Sequence, residues 1–523
     1  MSLPIQQVQL ISFSFFKPPN GLNFSTKVKA ILLFSKSKQN FFYLCFLILI
    51  DKMKYFSVIF LFFSLSFSAL LARESVENQT YWIEFKDKGD VREMLSSPQY
   101  FLSQKAIDRR QKLKIPISEN DLPVNERYLE QLQQQGGKVV GVSRWLNGVL
   151  LSVNDEATIK QIEGLSFVKE EVKRNPPPKK AKPLKPVDCG KGQINIPIVE
   201  DFDSLYGNAY CQLSFFHGNQ LHINCLRGSG VVIAVIDEGF YGVDVHPAFD
   251  SLRLSGRLLG YKDFTGMNGE LSTHNSASHG AKTLSCLAAN FPGKFVGTAP
   301  EASYWLLSSE YTPEESPLEE YYWVFAAEFA DSVGVDIISS SLGYSRFDNS
   351  KKNYTYNDFY KYRSPASKAA AYAWEKGIVV VASAGNEGQS SWQYLLFPGE
   401  TPEIITIGSV DKDGKVSDFS SRGYWHKSII KPDFVALGDC IYLADGEEGY
   451  VFLGGTSFAA PLVSGLIACC LQSNPLLTNN EIKRLLIETA IPPPSKPNRC
   501  YGYGIPNFGR MMERINDISQ KNN

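Results

Sequence analysis

The sequence predicts an α/β protein, a parallel sheet flanked by helices, preceded by a small α+β domain. Three observations carry this prediction. From about Tyr206 onward, apolar runs rich in Val and Ile alternate with stretches of helical spacing, as strands buried on both faces require. Between Glu77 and Arg174, short alternating strands and short helices follow one another. Residues 175–186 separate the two regions and are rich in Pro and Lys, with three consecutive prolines, the composition of an exposed linker open to cleavage.

The elements can be justified in chain order. From Met53 a short basic start leads into an apolar core that reaches small residues at Ser68, Ala69 and Ala72, the three parts of a signal peptide. The apolar run is short for a membrane span and no stop-transfer cluster follows, so residues 53–72 are expected to be removed on export, leaving no stable anchor. A second apolar run, 41–50, precedes Met53, and two signals in series have no purpose; residues 1–52 therefore read as an over-extended gene start.

The small domain, residues 73–175, opens with alternation from Tyr81 to Phe85 that predicts a strand. Helical spacing follows at 100–113 and 128–132, and Gly136 with Gly137 ends the second helix. Two strands, 139–142 and 149–153, flank a turn at Asn147-Gly148. Asn154 can cap a helix running through Ile162, and 167–172 returns as a strand. Residues 176–205 form a linker with a processing site, 206–510 the large domain, and 511–523 a tail. In the large domain the clearest strand is 231–236, with others at 336–338, 378–381 and 404–407. A helix ending at Glu375 can be capped by Ser364 and opened by Pro365.

Composition narrows the function. Lys and Arg total 53 against 54 for Asp and Glu, a formal net charge of -1, so nucleic acid is not expected as a partner. Hydrophobic residues make up 44%, ordinary for a soluble globular protein. The nine Cys contain no Cys-x-x-Cys pair; eight follow the export signal, an even number that permits disulfides without choosing partners.

In open α/β sheets functional groups gather beyond the carboxyl ends of the strands. The 231–236 strand runs directly into Asp237, although an Asp there is often only a turn residue. Of six His, His279 stands out because Gly280 follows and Ala281, Leu284, Leu287 and Ala288 give buried-helix spacing, so the imidazole sits at a helix start, a setting suited to a general base. His246 and His274 lie in a His-Pro turn and a polar loop and lack that setting. The segment from Leu453 through Gly454-Gly455-Thr456-Ser457 to Pro461 is a Gly-rich turn feeding a helix. Small residues let substrate approach Ser457, and the helix amino terminus favours negative charge.

Together these segments resemble the subtilase family, whose nucleophile motif is Gly-Thr-Ser followed by two small residues and Pro. The order Asp237, His279, Ser457 also matches, and differs from the orders of the α/β-hydrolases and the chymotrypsins. Residues 382–388, containing Ala384-Gly385-Asn386, resemble the family's oxyanion segment. The resemblance implies a subtilisin-like fold and a secreted serine endopeptidase, extracellular or in the periplasm or cell envelope, acting on polypeptide substrates. Asp237, His279 and Ser457 would form the triad, with Asn386 in the oxyanion hole. Ser341, Leu342 and Gly343, with Ala384 and Gly385, would line the primary specificity pocket, and 339–343 would be an edge strand pairing with extended substrate. The 73–175 domain would be a propeptide, an intramolecular inhibitor and folding aid in a self-processing precursor. No cofactor is required for this chemistry and no metal site is assigned; the family admits structural calcium, but no Asp-x-Asp-x-Asp-Gly loop is legible, and Asp411 to Gly414 reads as a turn. The rival readings are a catalytically silent peptide-binding homologue and an esterase. Glu238 and Ala281 depart from the usual motifs without removing a reacting group.

Overall fold

The computed structural model describes residues 8–13, 28–33, 79–169, 189, 192–196, 203–267, 269–271, 277–311 and 315–522. The expected signal peptide and most of the expected linker lie outside the described residues. Taken by itself, the amino-terminal unit contains an antiparallel pair, β1 (Val8–Phe13) and β2 (Val28–Leu33).

The small domain is a three-stranded antiparallel sheet with helices. Its strands are β3 (Gln79–Glu84), β4 (Lys138–Ser143) and β5 (Gly148–Val153), in the order β3-β5-β4. Asn147 takes φ 48° in the turn before β5, a left-handed value that Asn tolerates better than most residues. The helices are α1 (Gln104–Lys112), α2 (Glu126–Gln134) and α3 (Glu156–Glu163), capped by Ser103, Asn125 and Asp155. The α3 cap thus falls one residue later than expected: Asp155, not Asn154, holds extended backbone and accepts from Thr158 N, and its charge suits the helix amino terminus better than an amide would. The return strand expected at 167–172 is reduced to one bridge, Phe85 with Val168, within the described residues. Ile83, Leu132, Val149, Leu151, Ile159 and Ile162 form the core.

The large domain is built on a seven-stranded parallel sheet. Its strands are β6 (Val232–Asp237), β7 (Leu258–Asp263), β10 (Ser303–Ser308), β11 (Ile337–Ser340), β12 (Val379–Ser383), β13 (Ile405–Val410) and β14 (Phe434–Leu437). They lie in the order β14-β13-β12-β11-β6-β10-β7. Two ribbons, β8 (Asn290–Phe291) with β9 (Phe295–Val296) and β15 (Ile441–Asp445) with β16 (Gly449–Leu453), lie outside it. All residues of β6 and β13 are buried, which explains their continuous apolar character.

Helices cover both faces. On one, α7 (Thr456–Ser473) crosses β11 to β14 and packs on α4 (His279–Ala288). On the other, α5 (Leu318–Val333) packs on α6 (Pro365–Glu375), which Ser364 caps as expected. Helices α8 (Asn479–Thr489) and α9 (Phe508–Asn522) complete the chain. Although α7 is long and apolar enough to cross a membrane, 89% of it is buried, and it is the core helix of this domain. After β6 the chain builds one side of the sheet, through β7 and β10, and then crosses to β11 on the other side. The carboxyl ends of β6 and β11 therefore mark the switch point where a crevice forms.

Residues from Asn78 onward form one compact unit, so the small domain is docked on the large one. Trp82 stacks on Tyr321 of α5 with ring centroids 4.7 Å apart. At Gly141 a Cβ would lie 2.2 Å from the Phe325 ring, so only glycine permits this approach. The fully buried Asp331 of α5 receives Arg110 at 2.7 Å and Arg144 at 2.6 Å, with Arg109 as a third partner. Glu328, one turn earlier, accepts from the backbone N–H groups of Arg144 and Trp145, each at 3.0 Å.

Within the expected linker, Cys189 is disulfide-bonded to Cys500, and Ile194 N donates to Gly414 O at 3.0 Å. Residues 189–196 are thus fastened to the large domain wherever they are described.

Candidate active site

Asp237 is the last residue of β6 and is fully buried. Its Oδ1 lies 2.6 Å from His279 Nδ1 and also accepts from Glu238 N at 2.9 Å, while Oδ2 accepts from Thr283 Oγ1 at 2.9 Å. Three donors fix the orientation of this carboxylate. His279 begins α4 as expected, and Gly280 explains how so short a bond is reached. A Cβ there would lie 2.6 Å from Gly239 O and 3.0 Å from Asp237 Cβ, so a larger residue would push the helix off the strand.

The imidazole side chain keeps 31% exposure. Burial works against its protonated form, but the charge of Asp237 and the hydrogen bond to it work more strongly the other way, so its pKa lies above the ordinary 6.5. The Phe458 ring lies 6.0 Å from it, which brings the start of α7 beside the start of α4.

Ser457 is the second residue of α7 and is buried at 7% exposure. Ser341 Oγ donates to Ser457 O at 2.7 Å, and Ser457 Oγ donates to Ser341 O at 3.4 Å. No hydrogen bond joins Ser457 Oγ to the imidazole in this structure; the hydroxyl is turned to Ser341. Asn386 follows β12 and is exposed. Its Oδ1 accepts from both Thr456 N and Thr456 Oγ1 at 3.0 Å, and Thr456 Oγ1 in turn accepts from Gly385 N at 3.1 Å. Asp237, His279, Ser457 and Asn386 are thus brought to one end of the sheet.

Ser341, Leu342 and Gly343 continue beyond β11, and Ala384 and Gly385 continue beyond β12, so the five residues assigned to the pocket lie on neighbouring segments. One expectation is corrected. The strand that leads into 341–343 is interior, hydrogen-bonded to β6 and β12 over Ile337–Ser340, and not an edge. Its backbone groups are already used within the sheet, and only the residues after Ser340 run past it.

Thr283 and Thr456 were not singled out from the sequence. Thr283 stands four residues after His279, a helical spacing that puts both on one face of α4 and is the signal that could have found it. Thr456 lies in the quoted motif but acts across the cleft on Asn386, which no local pattern encodes. Of the control residues, His246 is engaged by Ala248 N and Gly449 O and not by any of these four residues, and His274 lies outside the described residues. Among the described residues no group of three or more His, Cys, Asp or Glu side chains is arranged to hold a metal ion. Asp411 to Gly414 forms a turn, with Gly414 N donating to Asp411 O at 3.0 Å.

The Subtilase family (Peptidase S8) matches residues 228–504, more than half of the chain, and the Peptidase S8 propeptide domain of Bacteroidota matches residues 80–186. The chain is 31% identical over 292 residues to serine protease AprX of Bacillus subtilis (strain 168), covering 50% of this chain and 61% of that protein's length. It is 31% identical over 245 residues to thermitase of Thermoactinomyces vulgaris, covering 46% and 74%. With subtilisin DY of Bacillus licheniformis the identity is 28% over 270 residues, covering 50% and 85%. The solved structure of the prenylagaramide maturation protease PagA superposes with a TM-score of 0.45 at 23% identity, over 57% of this chain and 98% of that one. With a matching domain over most of its parallel-sheet region and a matching propeptide domain before it, the chain belongs to the subtilase family of S8 peptidases.

Proposed function

We propose that this chain is made as an exported precursor that matures into a serine endopeptidase. The observation that carries the reading is the 2.6 Å bond from His279 to the buried Asp237, made at a helix start beside Ser457 at the start of a second helix. With Nδ1–H held by Asp237, Nε2 is the basic nitrogen left for the nucleophile. The reaction requires Ser457 Oγ to turn from Ser341 O to Nε2, a contact that commonly tightens only when substrate is bound.

In the proposed reaction Ser457 Oγ attacks a peptide carbonyl while His279 takes its proton. Asp237 holds and stabilises the imidazolium, which then gives the proton to the leaving amine. The acyl-enzyme on Ser457 is released by water through the same base. Because Thr456 occupies Oδ1 of Asn386, the Nδ2–H2 group is the part free to bind the oxyanion, together with the Ser457 N–H at the helix amino terminus. Beyond the attacking water, the reaction uses only side-chain and backbone groups. Purified Ser457→Ala is expected to lose peptide hydrolysis, and Asn386→Leu to lose about 100- to 1,000-fold in turnover. Near-normal hydrolysis by Ser457→Ala overturns the reading.

The docked 79–169 domain is read as the propeptide that holds the enzyme inactive, with self-cleavage before Cys189, since Cys189 and Ile194 are fastened to the large domain. Export, directed by residues 53–72, is supported by the Cys189–Cys500 bridge, which persists in oxidising compartments. Normal processing of the Ser457→Ala precursor made alone contradicts self-cleavage.

A further inference from the structure

Between the two walls assigned to the primary specificity pocket lies a side chain that the assignment did not include. A Cβ on Gly343 would sit 2.5 Å from Leu396 Cβ and 3.0 Å from its Cδ1. A Cβ on Gly385 would sit 2.6 Å from Leu396 Cγ and 2.8 Å from the same Cδ1. One leucine therefore touches both glycines, and its methyl end fills the gap between them.

The leucine is held in place. Leu396 N donates to Ala384 O at 3.1 Å, and Phe397 exchanges two backbone hydrogen bonds with Tyr344, at 3.0 and 2.8 Å, so the segment is joined to both walls. Phe397 is fully buried, with the Tyr354 and Phe359 rings 4.3 and 5.3 Å from its own. Trp392 Nε1 donates to Leu395 O at 3.0 Å. Interiors packed in this way do not yield to a large incoming group without repacking.

We infer that Leu396 sets the depth of this pocket, and that the enzyme cleaves after small residues, glycine, alanine or serine, in preference to large apolar or aromatic ones. The inference rests on the peptidase reading above. A methyl group entering between 341–343 and 384–385 stops short of Leu396, whereas a phenyl ring meets its methyl end and the glycines behind it.

The test uses enzyme matured from the full chain and two peptide p-nitroanilides that differ only in Ala or Phe before the scissile bond. The wild-type kcat/KM for the Ala substrate should exceed that for Phe by about tenfold or more, since one methylene in such a pocket is worth about 10- to 200-fold. Leu396→Gly and the milder Leu396→Ala should raise the Phe value by a similar factor and so narrow or reverse the Ala-to-Phe ratio. If a variant fails to fold, the wild-type ratio still decides, and cleavage sites in a denatured protein give a second reading. Sites after Gly, Ala or Ser support the inference, and sites after Phe, Tyr or Leu overturn it. A wild-type preference for Phe overturns the pocket assignment alone when a fluorophosphonate still labels Ser457. No hydrolysis of either substrate and no labelling overturns the peptidase reading, and this inference with it.

Discussion

At the scale of single residues, His279 is governed by one neighbour. Asp237 outweighs the burial of the imidazole and raises its proton affinity above the ordinary value of 6.5. Only neutral His279 can accept a proton from Ser457, so activity should be lost as pH falls through that raised pKa. The acid limb of kcat/KM against pH is therefore expected to have its midpoint above 6.5. In Asp237→Asn the largest raising influence, the Asp237 charge, is gone and burial is opposed mainly by the smaller effect of Glu238, so whatever activity survives should have its acid limb moved below that point. An unchanged limb contradicts the pairing. His279 and Ser457 were legible because each opens a helix whose apolar spacing is local. Thr456 and Leu396 were not, because each acts on a residue that only the fold brings near, and Thr283 had only its helical spacing from His279 to mark it.

At the scale of elements, α5 carries the docking of the small domain. Three guanidinium groups converge on Asp331, and the carboxylate is wholly enclosed. Removing the Asp331 carboxylate takes this counter-charge from Arg109 and Arg144, while Arg110 keeps Asp121 at 2.8 Å, and breaking a buried pair in this way costs about 3–5 kcal/mol. Arg109 and Arg110 are covered by this contact, at 6% and 1% exposure, and trypsin reaches them only after undocking. In the Ser457→Ala precursor, which cannot cleave itself on the present reading, Asp331→Ala should open both sites to trypsin. Continued resistance contradicts the role given to Asp331. The three strands of the small sheet and β6, β11, β12 and β13 of the large one were foreseeable from their apolar patterns, and so was the Ser364 cap, whereas β7, β10 and β14 were not singled out. The α3 cap was placed one residue early, because Asn154 and Asp155 are both good caps and only the backbone course chooses between them. The interior position of β11 was missed for a different reason: a short apolar strand looks the same in sequence whether or not it has neighbours on both sides.

At the scale of the whole molecule, the Cys189–Cys500 bridge joins positions 311 residues apart and ties the linker to the end of the large domain. No spacing rule could pair them, since the other Cys offered equal candidates. Loss of a native bridge commonly costs about 2–5 kcal/mol. Matured Cys500→Ser enzyme should accordingly unfold at lower temperature than the wild type, and an unchanged Tm contradicts a stabilising role. The central claim is that all these scales serve one nucleophile, Ser457. Mass spectrometry of the matured chain after exposure to a fluorophosphonate tests it most directly. The account predicts one adduct, on the peptide containing Ser457, with loss of peptide hydrolysis in proportion to labelling. Full hydrolysis alongside complete labelling, or hydrolysis with Ser457 unlabelled, would contradict it.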